Sequence, residues 1–428
     1  MIATHMQVNS DVLVIGSGIA GLMAALAARD AGASVTIVSK GAGSYAISSG
    51  CVDLLGYVDT QPVEDPWSNL AHLPDNHPYR LLGQQSIEEA LAFFCACTQS
   101  QSLPYSTART SDGKSCNSLL PTVLGTLKPS YLLPATLDAS KLFSAKKVLI
   151  CGCEGLRDMS PKLCRDQLLT HSLLEKIAFE TFLLPQPFAH LHRSISALDL
   201  ARFVNTKEGE SWLATSLGRF AKAYDCILLP PILGTKKTTE LVVRLEAMLG
   251  PLLELLSIPP GVGGIRLQEA LLREASQKGI RLMENVQLET CEMNATQCLW
   301  LKGAGPSGPR FGAKSFVLAT GGVLGGGLLV DSDRVQETVF HLPCKAPRGL
   351  ARTGAHVFSR HPIQSVGIAV DSMLRPVDQG NCVLENVFLA GRILEGYDHA
   401  HEKCGHGVAI ATGWRAGRLA AEASRAGE

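Results

Sequence analysis

The sequence predicts an α/β fold built on a parallel sheet, and three observations carry that prediction. An apolar run at 11–15 ends in Gly16, Gly18 and Gly21 and passes into an Ala/Leu-rich stretch reaching about Ala31. A second apolar run follows at 34–39. Further apolar runs ending in glycine recur at 147–155, 316–322 and 386–391. Runs that are apolar throughout, without polar alternation, suit strands buried on both faces of a parallel sheet.

Composition agrees and excludes several classes. The 428 residues hold 39 basic and 39 acidic side chains, 18% charged in all, so there is no excess of Lys and Arg to neutralise nucleic-acid phosphates. At 46% apolar, the chain has the material for a large core. Its 41 glycines exceed ordinary usage and point to backbone that turns sharply or approaches a ligand. The 13 cysteines are odd in number, lie mostly in apolar runs and include no C-x-x-C pair. That suits reduced core thiols and argues against a zinc site, an iron–sulfur site or a disulfide framework. The first residues show no basic stretch leading into an apolar one, and the apolar window 241–260 is broken by Arg244, Glu246 and Glu254. A cytoplasmic protein without a membrane span of its own is expected.

Strand 11–15, the G-x-G-x-x-G turn, a helix and strand 34–39 form the unit that binds a dinucleotide in a Rossmann-like domain. Gly16 allows the tight turn, Gly18 lets backbone approach a pyrophosphate, and Gly21 lets the helix pack on the strand. The phosphate end falls to Ser17, Gly18, Ile19 and Ala20, where the helix N-terminus offers its amides. Such sites carry Asp or Glu about twenty residues after the glycines to hold the adenosine ribose. Here the strand ends Val38-Ser39-Lys40. Either the ribose is held differently, or the nucleotide lacks an adenosine half. Next, Gly41-Ala42-Gly43 and Ser48-Ser49-Gly50 are either donors to the nucleotide or an ordinary loop.

Segments 58–80 and 120–136, rich in Pro and turn formers, read as irregular connections. At 147 the pattern restarts with a strand and glycine turn, a helix over 163–177, a strand over 225–230 and a helix over 238–249 that Gly250 and Pro251 end. Residues 146–258 therefore read as a second α/β domain inserted into a discontinuous first domain, 9–145 with 259–428. The first domain resumes with a helix over 263–278 carrying Arg266, Leu267 and Leu271, strands within 280–290, and buried strands at 316–322 and 386–391. A loop then leads to Gly405-His406-Gly407 and a long Ala-rich helix.

The glycine fingerprint, Ala319-Thr320-Gly321-Gly322 and the strand-loop-helix from Asn386 resemble the flavoprotein superfamily of succinate dehydrogenase and fumarate reductase. Closer likeness lies in Ser48-Ser49-Gly50-Cys51-Val52-Asp53-Leu54-Leu55, in His77-Pro78-Tyr79-Arg80-Leu81-Leu82-Gly83 and in Leu124-Gly125-Thr126-Leu127. With Gly264-Ile265-Arg266-Leu267-Gln268 and Leu374-Arg375-Pro376, these runs are similar to the B-subunit family of anaerobic glycerol-3-phosphate dehydrogenases. The resemblance implies a subunit carrying FMN, with FAD as the alternative. Beside it would stand an FAD-bearing A subunit and an iron–sulfur C subunit, on the inner face of the cell membrane and reaching the membrane only through a partner. It implies oxidation of sn-glycerol 3-phosphate to dihydroxyacetone phosphate, with electrons passed to iron–sulfur centres and quinone. Alternatives are an electron relay, a flavin-free scaffold, or a stand-alone flavin dehydrogenase of another substrate.

The same resemblance places Gly405, His406, Gly407 and Val408 at a helix start facing the flavin ring, with Gly391 and Arg392 along the ring edge. Ser48, Ser49 and Gly50 fall nearer the ring, Val286 and Thr320 towards an adenine side if one is occupied, and Ser39, Lys40 and Gly321 are further candidates for cofactor binding. Oxidising an alcohol requires removal of its hydroxyl proton, and His399, His401 and His406 are the candidate acid or base residues. With Cys404 they have metal-like spacing, but no metal is expected from spacing alone. Lys345, Arg348, Arg352 and Arg375 are candidate cations for a substrate phosphate, or a solvated face, with His341 and His361 in the same region.

Overall fold

The computed structural model describes residues 6–188, 194–332, 334–347 and 352–426. The chain opens with β1 (Gln7–Ile15), α1 (Ile19–Asp30) and β2 (Val35–Val38). β1 starts four residues before the apolar run because its polar first half is also paired, Gln7 lying opposite Arg310. After α2 (Gln84–Ser100) come β3 (Lys147–Cys153), β4 (Ala178–Leu184), β5 (Cys226–Leu229), α3 (Thr238–Leu249) and β6 (Leu252–Glu254). Then follow α4 (Val262–Gln277), β7 (Arg281–Met283), β8 (Leu288–Asn294), β9 (Gln297–Gly303), β10 (Arg310–Leu318), β11 (Val387–Leu389), the one-turn α5 (His399–Glu402) and α6 (Gly405–Ala426).

The first sheet has the order β7-β2-β1-β10-β9-β8, with β11 also paired to β10. β10 is long enough to serve two neighbours. Its first half meets β9 antiparallel and its last three residues meet β11 parallel. Val12, Leu13 and Val14 are almost wholly buried in the middle of this sheet. α6 lies on α1, and Gly413 and Gly417 permit the contact, since a Cβ on either would fall within 2.4 Å of an Ala20 or Ala24 carbonyl oxygen. That contact fixes where both helix N-termini point.

The second sheet, β4-β3-β5-β6, is parallel throughout. Its core gathers residues from β3 to β6 and also takes Val123, Leu142 and Ala145, which precede β3 in the chain. The helix expected over 163–177 begins earlier, at Pro161 behind its Ser160 cap, and stops at Leu168. There the Thr170 hydroxyl donates to the Gln167 carbonyl and His171 turns its ring to Gly125 O, 3.1 Å away. Segment 120–136 is more regular than expected, because strands Ser118–Pro121 and Leu127–Ser130 pair as a hairpin. No helix among the described residues is long and apolar enough to cross a membrane.

Candidate functional site

Three strand ends converge at one edge of the first sheet: Gly16 after β1, Thr320 to Gly322 after β10, and Gly391 after β11. Ligands of open parallel sheets bind at this carboxyl edge. Gly16 has φ +111°, and a Cβ there would fall 2.3 Å from Ala319 O. A Cβ on Gly21 would fall 2.0 Å from Gly16 O. A Cβ on Gly18, by contrast, would meet nothing within 4 Å. Gly18 caps α1 without a side chain, and the first helical bond runs from Leu22 N to Gly18 O. The Ile19, Ala20 and Gly21 amides are therefore left beside that open space, as a phosphate group needs. Ser17 donates its hydroxyl to Gly41 O at 3.2 Å, holding the following loop close.

On the β2 side, Ser39 N donates to Met283 O and Val286 N donates to Ser39 O, which brings Ser39 and Val286 together. The Ser39 hydroxyl is buried with no partner, and so is that of Thr320 beside Gly321. Lys40 points to solvent. Orphaned hydroxyls at the β2 and β10 ends fit a ribose or base, so the residues present suit a flavin nucleotide with an adenosine half. No carboxylate is needed at position 39 if the serine hydroxyl serves.

At the ring side, Gly391 has φ +75°, gives its N–H to Thr412 Oγ1 at 2.9 Å and packs so tightly that a Cβ would lie 2.7 Å from that of Ala20. Ser48 and Ser49 accept the Gly50 and Cys51 amides. Gly405, His406, Gly407 and Val408 form the start of α6. Gly407 N donates to Asp53 O and Val408 N to Cys404 O, leaving Gly405 and His406 among the described residues of this terminus. Arg392 is held by carbonyls, Nη1 to Val366 O and Nη2 to Gln364 O, with Nε donating to His399 Nδ1 at 3.0 Å.

The three histidines lie on α5 and the first turn of α6 and have different states. Because His399 Nδ1 accepts from Arg392, its proton sits on Nε2, and burial beside that guanidinium lowers its pKa to about 4. His406 Nδ1 lies 2.6 Å from Cys51 O, so it donates there, and burial lowers its pKa also. His401 Nδ1 lies 3.0 Å from a carboxylate oxygen of Asp398, which also caps α5. That bond keeps the proton on Nδ1 and leaves Nε2 as a lone pair, the arrangement of an oriented base.

His77, Glu402 and Cys404 have potential ligand atoms within 4.8 Å of one another. His77 Nδ1 accepts the Tyr79 N–H at 3.0 Å, so its Nε2 carries the proton and donates to Glu402 at 3.3 Å. A nitrogen that holds a proton is not a metal ligand. The cluster is a hydrogen-bonded tie, which Cys404 completes by donating its thiol hydrogen to Glu402.

Three of the four cations considered for phosphate lie among the described residues. Arg375 is bound by Asp371, Nε to Oδ2 at 2.9 Å. Lys345 lines a cavity of about 90 Å³ that Asp378 and Glu395 also line. Arg352 donates to the Pro347 and Asp331 carbonyls, and Arg348 lies outside the described residues. His341 and His361 accept from or bond to their own loops, at Gln336 and Gly354. The sequence alone does not disclose a charged group beside the start of α6: Asp53, Lys128 and Lys403. Asp53 stands inside one of the family-like runs and Lys128 directly after another, but neither spacing marks them as neighbours.

The profile of the FAD binding domain family matches residues 11–408. A probable B subunit of an anaerobic glycerol-3-phosphate dehydrogenase, from Halobacterium salinarum, is 32% identical, over 98% of this chain and 99% of its own length. The chain belongs to that family of B subunits. A second member, from Vibrio cholerae serotype O1, is 29% identical over 96% of each chain. Among solved structures, 3-ketosteroid delta1-dehydrogenase from Sterolibacterium denitrificans covers 97% of this chain and 99% of its own at 12% identity and TM-score 0.44. The open conformation of a flavocytochrome c3 fumarate reductase covers 99% of this chain and 80% of its own at 13% identity and TM-score 0.46. Membership of the B-subunit family makes this chain a flavin-type oxidoreductase component.

Proposed function

We propose that this chain is the flavin-binding subunit of a glycerol-3-phosphate dehydrogenase that oxidises sn-glycerol 3-phosphate to dihydroxyacetone phosphate. The observation that carries the reading is the cradle around Gly16, Gly18 and Gly391, in a chain similar over its whole length to proteins named for that activity. In this reading Ser17 to Gly21 hold the phosphates, and Ser48 to Gly50, Gly391, Arg392, Gly405 and His406 hold the ring. Ser39, Val286, Thr320 and Gly321 take an adenosine half, and the two orphaned hydroxyls favour FAD over FMN. Residues 9–145 and 259–428 form the flavin domain, with 146–258 inserted.

When bound, a flavin takes up the two electrons that leave the alcohol carbon as hydride. His401 Nε2 receives the hydroxyl proton, while Asp398 holds the ring in the tautomer that permits this. His399, neutral and bonded to Arg392, orients that guanidinium and takes no proton. A larger A subunit and an iron–sulfur C subunit carry the electrons on to quinone, and the chain reaches the membrane through them.

The test is to co-express the chain with its partners, separate it, titrate it anaerobically with glycerol 3-phosphate and identify the flavin released on denaturation. One FAD per chain, bleached by substrate without the A subunit, is expected. FMN would overturn the adenosine assignment. Flavin bleached only with the A subunit present would move the substrate chemistry there and leave this chain a relay; no flavin would make it a scaffold.

A further inference from the structure

We propose that Lys403 and Lys128 form an anion site beside the start of α6 that receives the phosphate of a phosphomonoester. The inference deepens the dehydrogenase reading and rests on it for the identity of the substrate.

Lys128 comes from the hairpin strand Leu127–Ser130, and its ammonium lies 2.8 and 2.6 Å from the two carboxylate oxygens of Asp53. Ser130 also donates to Asp53 at 2.5 Å. The carboxylate is thereby fully engaged. Asp53 is itself fixed to the helix start, because its carbonyl accepts the Gly407 amide. Lys403 approaches the same hairpin. It follows α5 with φ +49°, and its stem packs where a Cβ on Gly56 would approach within 2.8 Å, near Pro129.

The Lys403 charge therefore lies within electrostatic reach of the Lys128–Asp53 pair. Among the described residues the Lys403 ammonium has neither a carboxylate partner nor a hydrogen-bond acceptor. Burial and repulsion from Lys128 hold its pKa below the ordinary lysine value, with Asp53 and Asp398 opposing. His406 adds no charge to offset this, being held neutral on Cys51 O, and the Tyr57 phenol is protonated, its pKa raised mainly by burial. A half-buried cation without an anion is costly, and an anion bound by Lys403 supplies the missing pairing and offsets its repulsion from Lys128. The free Gly405 and His406 amides at the N-terminus of the 22-residue α6 add to the same field. His401 precedes Lys403 in the same segment, so the proton acceptor and the anion site are presented together.

The decisive variant is Lys403→Met, which keeps the packed stem and removes the charge, with Lys403→Arg as the rescue. In the assembled holoenzyme, Lys403→Met should raise KM for glycerol 3-phosphate by about tenfold or more with kcat much less changed, and Lys403→Arg should restore most of it. Inorganic phosphate, followed by calorimetry on the same proteins, should lose affinity by a similar factor. The calorimetry separates this proposal from the function it rests on. Phosphate binding that is lost in Lys403→Met, in a holoenzyme that does not oxidise glycerol 3-phosphate, would uphold the site and sink the substrate reading. Phosphate binding equal in wild type and Lys403→Met, with the variant folded by thermal melt, would overturn the site.

Discussion

Arg266 reaches from α4 into the second sheet and closes on Glu254 of β6, Nη1 to Oε2 at 2.5 Å and Nη2 to Oε1 at 2.8 Å, with both side chains under 5% exposed. Each partner is also satisfied by backbone. Arg266 Nε donates to Gly234 O, and Leu233 N donates to Glu254 Oε1. The pair thus joins α4 to the last strand of the second sheet. With both side chains buried, water is excluded from the contact.

Removing one member leaves a buried charge unpaired, whereas replacing both with apolar side chains does not. Arg266→Met alone should lower unfolding free energy by about 3–5 kcal/mol in denaturant titrations. The double variant with Glu254→Leu should recover a large part of that loss. A double variant as unstable as the single one would mean that the ion pair itself, and not the orphaned charge, sets the stability.

The fingerprint glycines should separate by role. Gly16→Ala forces a side chain into positive φ and against Ala319 O, so it should cost about 1–3 kcal/mol and lower Tm whether or not flavin is present. Gly18→Ala meets no protein atom, so the apoprotein should melt as wild type while flavin occupancy falls. Equal flavin content in Gly18→Ala and wild type would remove the pyrophosphate from that space.

His399 gives the fold a pH dependence with a defined sign. Its folded pKa of about 4 lies below the unfolded value of 6.5, so the unfolded chain binds the extra proton between them. Its contribution is level above pH 6.5 and falls progressively towards pH 4, by at most about 3 kcal/mol. In His399→Gln, urea unfolding compared at about pH 7 and about pH 4.5 should show a smaller loss than in wild type. An unchanged loss would place the acid sensitivity elsewhere.

His401 and Asp398 should act as one unit on turnover. His401→Gln should lower kcat by about 100-fold to 10,000-fold with flavin still bound. Asp398→Asn keeps an α5 cap but loses the hold on the imidazole tautomer, and should lower kcat with KM little changed. Full activity in His401→Gln would assign the proton to another group.

The parts of this protein that are legible in the sequence are those whose physics is local. A turn at positive φ, a helix start without a side-chain cap and strands apolar on both faces each need particular residues within a few positions. For that reason the unit from β1 to β2, the ends of β10 and β11 and the bounds of α3 can be read directly. The extent of β1 cannot, since its polar half is a strand only because β10 lies beside it. The histidine-bearing segment is visible, but its chemistry is not. Each ring's tautomer depends on what it faces, and His406 finds its partner 355 residues away. His77 and Glu402 are 325 residues apart, and Lys128 and Asp53 are 75 apart. Charge pairing, burial and the missing counterion of Lys403 arise only once the strand edges, the hairpin and the two helix N-termini are packed together, because each depends on distances that no local stretch of chain sets.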